Sequence, residues 1–405
     1  MPAPHSDRAR APGIPQGLTV VIAGFLPIIA IVSMFPAVPA IIDHFAKTDP
    51  RALVKVPAMV SAPGLTIALV ALFAGWLVDR FGRRRLLLVA TAAYGFIGSL
   101  PFFLDNIDAI YASRLLLGVS EAVILTVLNT LIGDYWDERG RRLWLTIQGA
   151  AGTVLGAAVI LTSGYLTAVR WNGIFLIYTV GFPVFLAALA FLYEPERDTT
   201  ARAMLGLDET ATGFPWRAVV TFGGVTLLGS ALYYVFIING GLVWREVGIA
   251  DSASIGRLTT IPSMFIVVGS VVFWLTGRFG PRVQLAMFFG LLGSGLMVMG
   301  AIHDWRGMVA GMALQQTGAG MAVPCLIAWA QTLLPYEHRG RGMGVWTACF
   351  FFGQFSSPLL VSVAHALLGT MQHAFAAAGL MGVVVAVLIF AFLPRPRAAA
   401  HPVGA

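Results

Sequence analysis

Two charged residues interrupt an otherwise apolar stretch, Arg114-Leu115-Leu116-Leu117-Gly118-Val119-Ser120-Glu121. Seven residues of α-helix turn the chain by about 700° and rise about 10 Å, so both side chains share one face, with Gly118 leaving a gap between them. Glu121 falls about twelve residues into the stretch, near the middle of a membrane-crossing helix. An ionised carboxylate there costs on the order of 3 kcal/mol unless it is paired or faces water. Desolvation favours its protonated form and a nearby guanidinium its ionised form, so a change in their separation takes up or releases a proton. The other reading is a glutamate permanently protonated or paired, which locks helix packing. No other acidic residue falls near the middle of an apolar stretch, so Glu121, with Arg114 as partner, is the candidate proton carrier.

The elements that must position this pair follow from composition. Of 405 residues 58% are hydrophobic and 11% charged, and the mean hydropathy is +0.82. Such a chain is neither a soluble enzyme nor disordered. Apolar stretches long enough to cross about 30 Å of hydrocarbon are expected near 18–42, 56–78, 86–104, 109–133, 143–166, 173–193, 218–242, 255–276, 284–302, 307–334, 343–368 and 374–393. Cys325 and Cys349 lie inside apolar stretches and form no disulfide framework or metal site. No Gly-x-Ser-x-Gly, His-Glu-x-x-His, phosphate loop or Cys-x-x-Cys occurs, so an enzyme, a cofactor or a bound metal finds no support.

Of the 26 basic residues only Lys47 and Lys55 are not arginine. Their clustering between apolar stretches reads as membrane topology and argues against nucleic-acid binding. Alternate loops hold 18 and 7 of them. The richer set, with Arg80, Arg83, Arg84, Arg85, Arg139, Arg141 and Arg142, is expected in the cytoplasm together with both termini.

The chain repeats itself. Trp76, Leu77, Arg80, Phe81, Gly82 and Arg84 recur 198 positions later as Trp274, Leu275, Arg278, Phe279, Gly280 and Arg282. Gly118, Ala122, Val123, Arg139, Gly140 and Arg141 recur 200 positions later, and Met321 stands where the first half has Glu121. The expected organisation is a six-helix bundle over 1–193, a polar linker over 194–217 and a second six-helix bundle over 218–405. This is an all-α membrane fold of twelve helices in two pseudo-symmetric bundles.

The segment Gly75-Trp76-Leu77-Val78-Asp79-Arg80-Phe81-Gly82-Arg83-Arg84-Arg85 closely resembles the signature loop of the major facilitator superfamily, Gly-x-Leu-x-Asp-Arg-x-Gly-Arg-Arg/Lys, in the same place between the second and third helices. The resemblance implies a latch that steadies the outward-open state; a plain topology anchor would keep the arginines and would not require Asp79. The stretch Arg114 to Gly118 resembles the Arg-x-x-x-Gly motif that proton-coupled members carry in their fourth helix. The fifth helix, Gly149 to Gly156, lacks the Gly-Pro pair usual in drug:proton antiporters of the superfamily.

In a member of this superfamily the first, fourth, seventh and tenth helices line the cavity, which makes Ser33, Tyr233, Tyr234, Asn239, Gln315 and Gln316 candidate substrate groups. The resemblance implies a proton-coupled secondary transporter working by alternating access on a small molecule, exporting an amphipathic or drug-like compound. A proton symporter or facilitator for a small organic acid, or a non-transporting membrane sensor, is the alternative. The expected partners are substrate, protons and the lipid bilayer, for a protein functional as a monomer. Alanine, glycine and arginine richness suggests a bacterial inner membrane.

Overall fold

The computed structural model describes residues 12–195, 213–335 and 338–393. Arg8, Arg10, Arg197, Arg202, Arg395, Arg397, both termini and most of the expected linker lie outside the described residues.

Within them the chain is helices and turns. The long helices are α1 (Ile14–Val32), α2 (Ala52–Ala71), α3 (Arg83–Phe103), α4 (Ile107–Tyr135), α5 (Glu138–Val169), α6 (Gly173–Phe191), α7 (Trp216–Glu246), α8 (Ser252–Leu275), α9 (Gly280–Ala301), α10 (Trp305–Leu333), α11 (Arg339–Leu368) and α12 (Met371–Phe392). Short helices Val38–Phe45 and Ala74–Phe81 extend α1 and α2. Local sequence sets where several begin. The side chains of Asn106, Asp137, Asp251, Asp304 and Thr370 accept from the orphan N–H groups that open α4, α5, α8, α10 and α12.

Ten stretches among the described residues are long and apolar enough to cross a membrane. Helices α5 and α10 are not among the ten, although at 32 and 29 residues they have the length; α5 opens on Glu138, Arg139, Arg141 and Arg142, and α10 carries Gln315 and Gln316. Large apolar side chains such as Val154, Leu186, Ile261, Val387 and Phe390 point outward, exposed by 55–72% where a soluble protein would hide them.

Helix α1, with its last turn running to Phe35, does not pass unbroken into the short helix Val38–Phe45. Pro36 has no N–H to donate, and its ring crowds the carbonyl of the preceding turn. Met34 then donates to Ile31 O and Ala37 to Met34 O, at 3.3 and 3.0 Å. In an unbroken helix those two N–H groups would reach the carbonyls of Ala30 and Ser33, which the break sets free.

Helices up to residue 195 pack on one another, with α4 against α2 and α3 and α6 against α3; those after 213 do likewise, with α9 between α10 and α12 and α7 against α11. Two main crossings join the groups, α2 with α11 and α5 with α8, and α7 also meets Phe35 and Pro39 at Gly240 and Gly241. The sequence repeat maps α2 onto α8 and α5 onto α11, so the two main crossings are one contact occurring twice. Both need glycine. A Cβ added to Gly64 would stand 2.8 Å from Phe351 O, and one added to Gly164 would stand 2.6 Å from Ser252 O. Away from the arginine-rich loops the join is completed by Arg245 Nη1 donating to Asp43 Oδ1 at 2.5 Å.

Valine at 164 should therefore force α5 from α8 and cost about 1–3 kcal/mol, read as a lowered Tm. Gly156→Val is the matched control, because a Cβ there meets nothing within 4 Å.

Candidate functional site

Arg114 and Glu121 are 1% and 2% exposed. Arg114 Nη2 donates to Gly98 O at 2.8 Å, and the guanidinium sits 4.6 Å from the ring centre of Tyr178 and 5.1 Å from that of Phe175. Its Nε and Nη1 have no hydrogen-bond partner, and neither does Glu121 Oε1. The shared helical face thus brings the two into each other's field without an ion pair within 4 Å. Among the described residues, Tyr94, Tyr178 and Tyr234 are the other titratable groups within electrostatic range of Glu121. Gly118, between Arg114 and Glu121 on the same face, also serves helix packing. A Cβ there would meet Thr66 Oγ1 at 2.0 Å and Pro63 O at 2.5 Å, so it is the point where α4 lies against α2.

Between the two groups of helices lies a cavity of about 500 Å³, with walls from α1, α5, α7, α8 and α10. Phe25, Phe35, Tyr233 and Phe236 make it aromatic, and Gln148, Ser263, Ser270 and Gln316 supply uncharged hydrogen-bonding groups. Of the substrate candidates, Tyr233 and Gln316 line it. Ser33, Tyr234, Asn239 and Gln315 are buried behind the walls, and Ser33 Oγ, Asn239 Oδ1 and both amide atoms of Gln315 lack partners. Among the described residues helix α4 contributes no wall residue, and the charge pair sits in the packing behind α1. Gln148, Ser263 and Ser270, on α5 and α8, were not expected; isolated polar residues in apolar stretches were their only signal.

The signature loop is built around Gly82, whose φ of +84° is left-handed and favours glycine. It turns the chain from the short helix Ala74–Phe81, which holds Gly75 and Asp79, into α3. Glu194 Oε1 and Oε2 accept from the backbone N–H groups of Arg83 and Arg84 at 2.7 and 2.8 Å, capping α3 from the end of the first group of helices. Arg83 Nε pairs with Asp134 at 3.0 Å. Arg84 donates to Leu192 O and Leu189 O at 2.7 and 2.9 Å, tying α3 to the end of α6. Arg80 lies over the Trp76 and Phe81 rings. The second half repeats this tie: Gly280 has φ +77°, and Arg282 donates to Phe390 O in α12. Glu194 and Asp134 were not singled out in the sequence, because their partners lie 110 and 51 residues away.

A multi-pass helical bundle with a cavity between two repeated groups is the architecture of a membrane transporter. The sequence model of the Major Facilitator Superfamily matches residues 20–245 and 218–405, and the chain belongs to that family. It is therefore an integral, multi-pass membrane protein, and the relatives it matches are transporters and not enzymes. It is 26% identical over 344 residues to the 3-(3-hydroxy-phenyl)propionate transporter of Escherichia coli (strain K12), covering 82% of this chain and 83% of that one. It is 25% identical to the multidrug efflux pump LfrA of Mycolicibacterium smegmatis, with 66% of this chain and 56% of the pump aligned, so the chain spans little more than half of that relative. Among solved structures a D-xylose-proton symporter superposes with a TM-score of 0.69 at 15% identity, over 93% of this chain and 98% of that one, which shows the shared fold.

Glu194→Ala should unseat the start of α3 and lower stability by about 1–2 kcal/mol, read as Tm in detergent. Glu194→Gln, which keeps one accepting oxygen, should lose less.

Proposed function

We propose that the chain is a proton-coupled transporter of the bacterial inner membrane that exports small amphipathic, aromatic compounds by alternating access. The chemistry of the cavity wall carries this reading. Aromatic and aliphatic side chains surround uncharged amides and hydroxyls, a surface that suits an apolar body with one or two polar handles. Among the described residues the cavity wall offers no cation to hold a carboxylate. Coupling is assigned to Glu121, whose carboxyl is buried with an unpartnered oxygen beside the partly unpartnered Arg114. Rocking of the two six-helix halves about the glycine crossings of α2–α11 and α5–α8 supplies the alternation. In this structure those crossings and the Asp43–Arg245 pair hold together the face opposite the arginine-rich loops.

One observation favours a second reading, proton-linked import of an aromatic acid. The relative aligned over 83% of its own length is a transporter for 3-(3-hydroxy-phenyl)propionate. On that reading the carboxylate is held by Arg114 after α1 moves aside.

The readings part in one experiment. A compound that binds the folded protein raises Tm by mass action, about 2.7 kcal/mol at a hundredfold excess over Kd. Purified wild type and Glu121→Gln are compared with lipophilic aromatic cations and with hydroxylated aromatic acids at two pH values. Export predicts stabilisation by the cations that grows with pH and disappears in Glu121→Gln. Stabilisation by the acids alone, unchanged in the variant, assigns the chain to aromatic-acid import. In proteoliposomes, Glu121→Gln should lose substrate accumulation driven by an imposed proton gradient; retained accumulation removes Glu121 from the coupling.

A further inference from the structure

Three hydroxyls hold α1 by its main chain. Tyr94 Oη, from α3, donates to Leu26 O at 2.7 Å. Tyr178 Oη, from α6, donates to Ala30 O at 2.8 Å. Ser163 Oγ, from α5, donates to Ser33 O. Ala30 O and Ser33 O are the carbonyls that the break in α1 sets free, and a carbonyl freed in hydrocarbon must find a donor from another helix. Leu26, Ala30 and Ser33 follow the i, i+4, i+7 spacing of one helical face. The opposite face of α1 carries Phe25, Ile28, Val32 and Phe35, which line the cavity.

Of the two tyrosines, Tyr178 touches the charge pair through Arg114, and Tyr94 packs against Tyr178. Their rings are 5.6 Å apart, both are fully buried, and Arg114 lies 4.6 Å from the centre of the Tyr178 ring. A Cβ on Gly98, whose carbonyl takes the other end of Arg114, would stand 2.6 Å from Tyr178 Cβ, so arginine, tyrosine and α3 are packed without slack. Among the described residues, the ionisable groups within electrostatic reach of Glu121 are Arg114 on its own helix, Tyr94 on α3, Tyr178 on α6 and Tyr234 on α7.

We propose that Tyr94 and Tyr178 are positioning residues for transport, transmitting the protonation of Glu121 to the cavity wall through their hydroxyl bonds to α1. The inference rests on Glu121 as the proton carrier. When Glu121 is ionised, the unpartnered Nε and Nη1 of Arg114 are drawn toward it and away from the Tyr178 ring. Because the hydroxyl of that ring holds Ala30 O, the motion reaches α1 and shifts Val32 and Phe35 on its far face. Loading a proton thereby reshapes the substrate cavity, although Glu121 itself forms no part of its wall.

The test reads α1 directly and needs no substrate. In a Cys325→Ala, Cys349→Ala background, Val32→Cys reports the α1 wall and Ser270→Cys reports the α8 wall, each in full-length protein in lipid nanodiscs. Alkylation rates with N-ethylmaleimide are measured across pH, and the ratio of the two sites removes the common ionisation of the thiols. The expected result is a step in the ratio that Glu121→Gln abolishes, that Tyr94→Phe or Tyr178→Phe diminishes and that the double variant loses. Ser163→Ala, which frees α1 away from Arg114, keeps the step. A step of wild-type size in the two tyrosine variants overturns the proposal while leaving Glu121 as carrier. A step lost equally in Ser163→Ala overturns it as general loosening of α1. A step that survives Glu121→Gln, or no step in wild type, overturns the Glu121 reading and the proposal with it. Each single tyrosine variant decides by itself if the double variant does not fold, as judged by gel-filtration profile.

Discussion

Hydrocarbon supplies no water to a backbone group that loses its partner, and that constraint organises the first half of this protein. A helix broken at Pro36 must have its freed carbonyls met from outside, and the donors at hand are hydroxyls on α6 and α5, with a third on α3 holding Leu26 O. Meeting them fixes α1 against three neighbours by its backbone. Its side chains on the other face are then left to shape a cavity without having to hold the helix in place. The same need explains the loops. Glu194 takes two N–H groups that α3 cannot use, and Glu246 does the same for Met371 and Gln372 at the start of α12.

Glycine answers a second constraint. Apolar side chains gain little by leaving lipid for a neighbouring helix, so close backbone approach has to supply the attraction. The two main crossings between the groups are of this kind, at Gly64 with Phe351 and at Gly164 with Gly256. Contacts of small residues interlock few side chains, and helices joined that way can tilt against each other at low cost. Within the groups glycine contacts of the same kind recur, as at Gly269 with Gly320, beside aromatic packing such as Phe288 and Phe289 at Gly229.

Much of this was legible in the sequence. Apolar length gave the helices, and the 198-residue repeat foretold that Arg84 and Arg282 would stand alike, each tying its helix to carbonyls 105 to 108 residues on. The run Phe350-Phe351-Phe352 had to expose one ring, and Phe352 is 43% exposed while Phe350 is buried against Trp346. The site was legible only in part. Helical periodicity placed Arg114 and Glu121 on one face, yet it could not say that the arginine would rest on Tyr178. Nor could it say that four of six polar candidates would sit behind the cavity wall and not on it.

What the sequence by itself determined is what depends on near neighbours: helix lengths, caps, the proline break, the glycine at φ +84° and the family, whose signature loop is contiguous. Tertiary structure alone decided which hydroxyl meets which carbonyl, since Tyr178 and Ala30 are 148 residues apart and Ser163 and Ser33 are 130. It also decided which helices wall the cavity, because the tilt of α5 against α8 depends on backbone contact at glycines whose spacing carries no side-chain pattern to read. A hydroxyl can satisfy any free acceptor within reach, so its residue type announces a hydrogen bond without naming the partner.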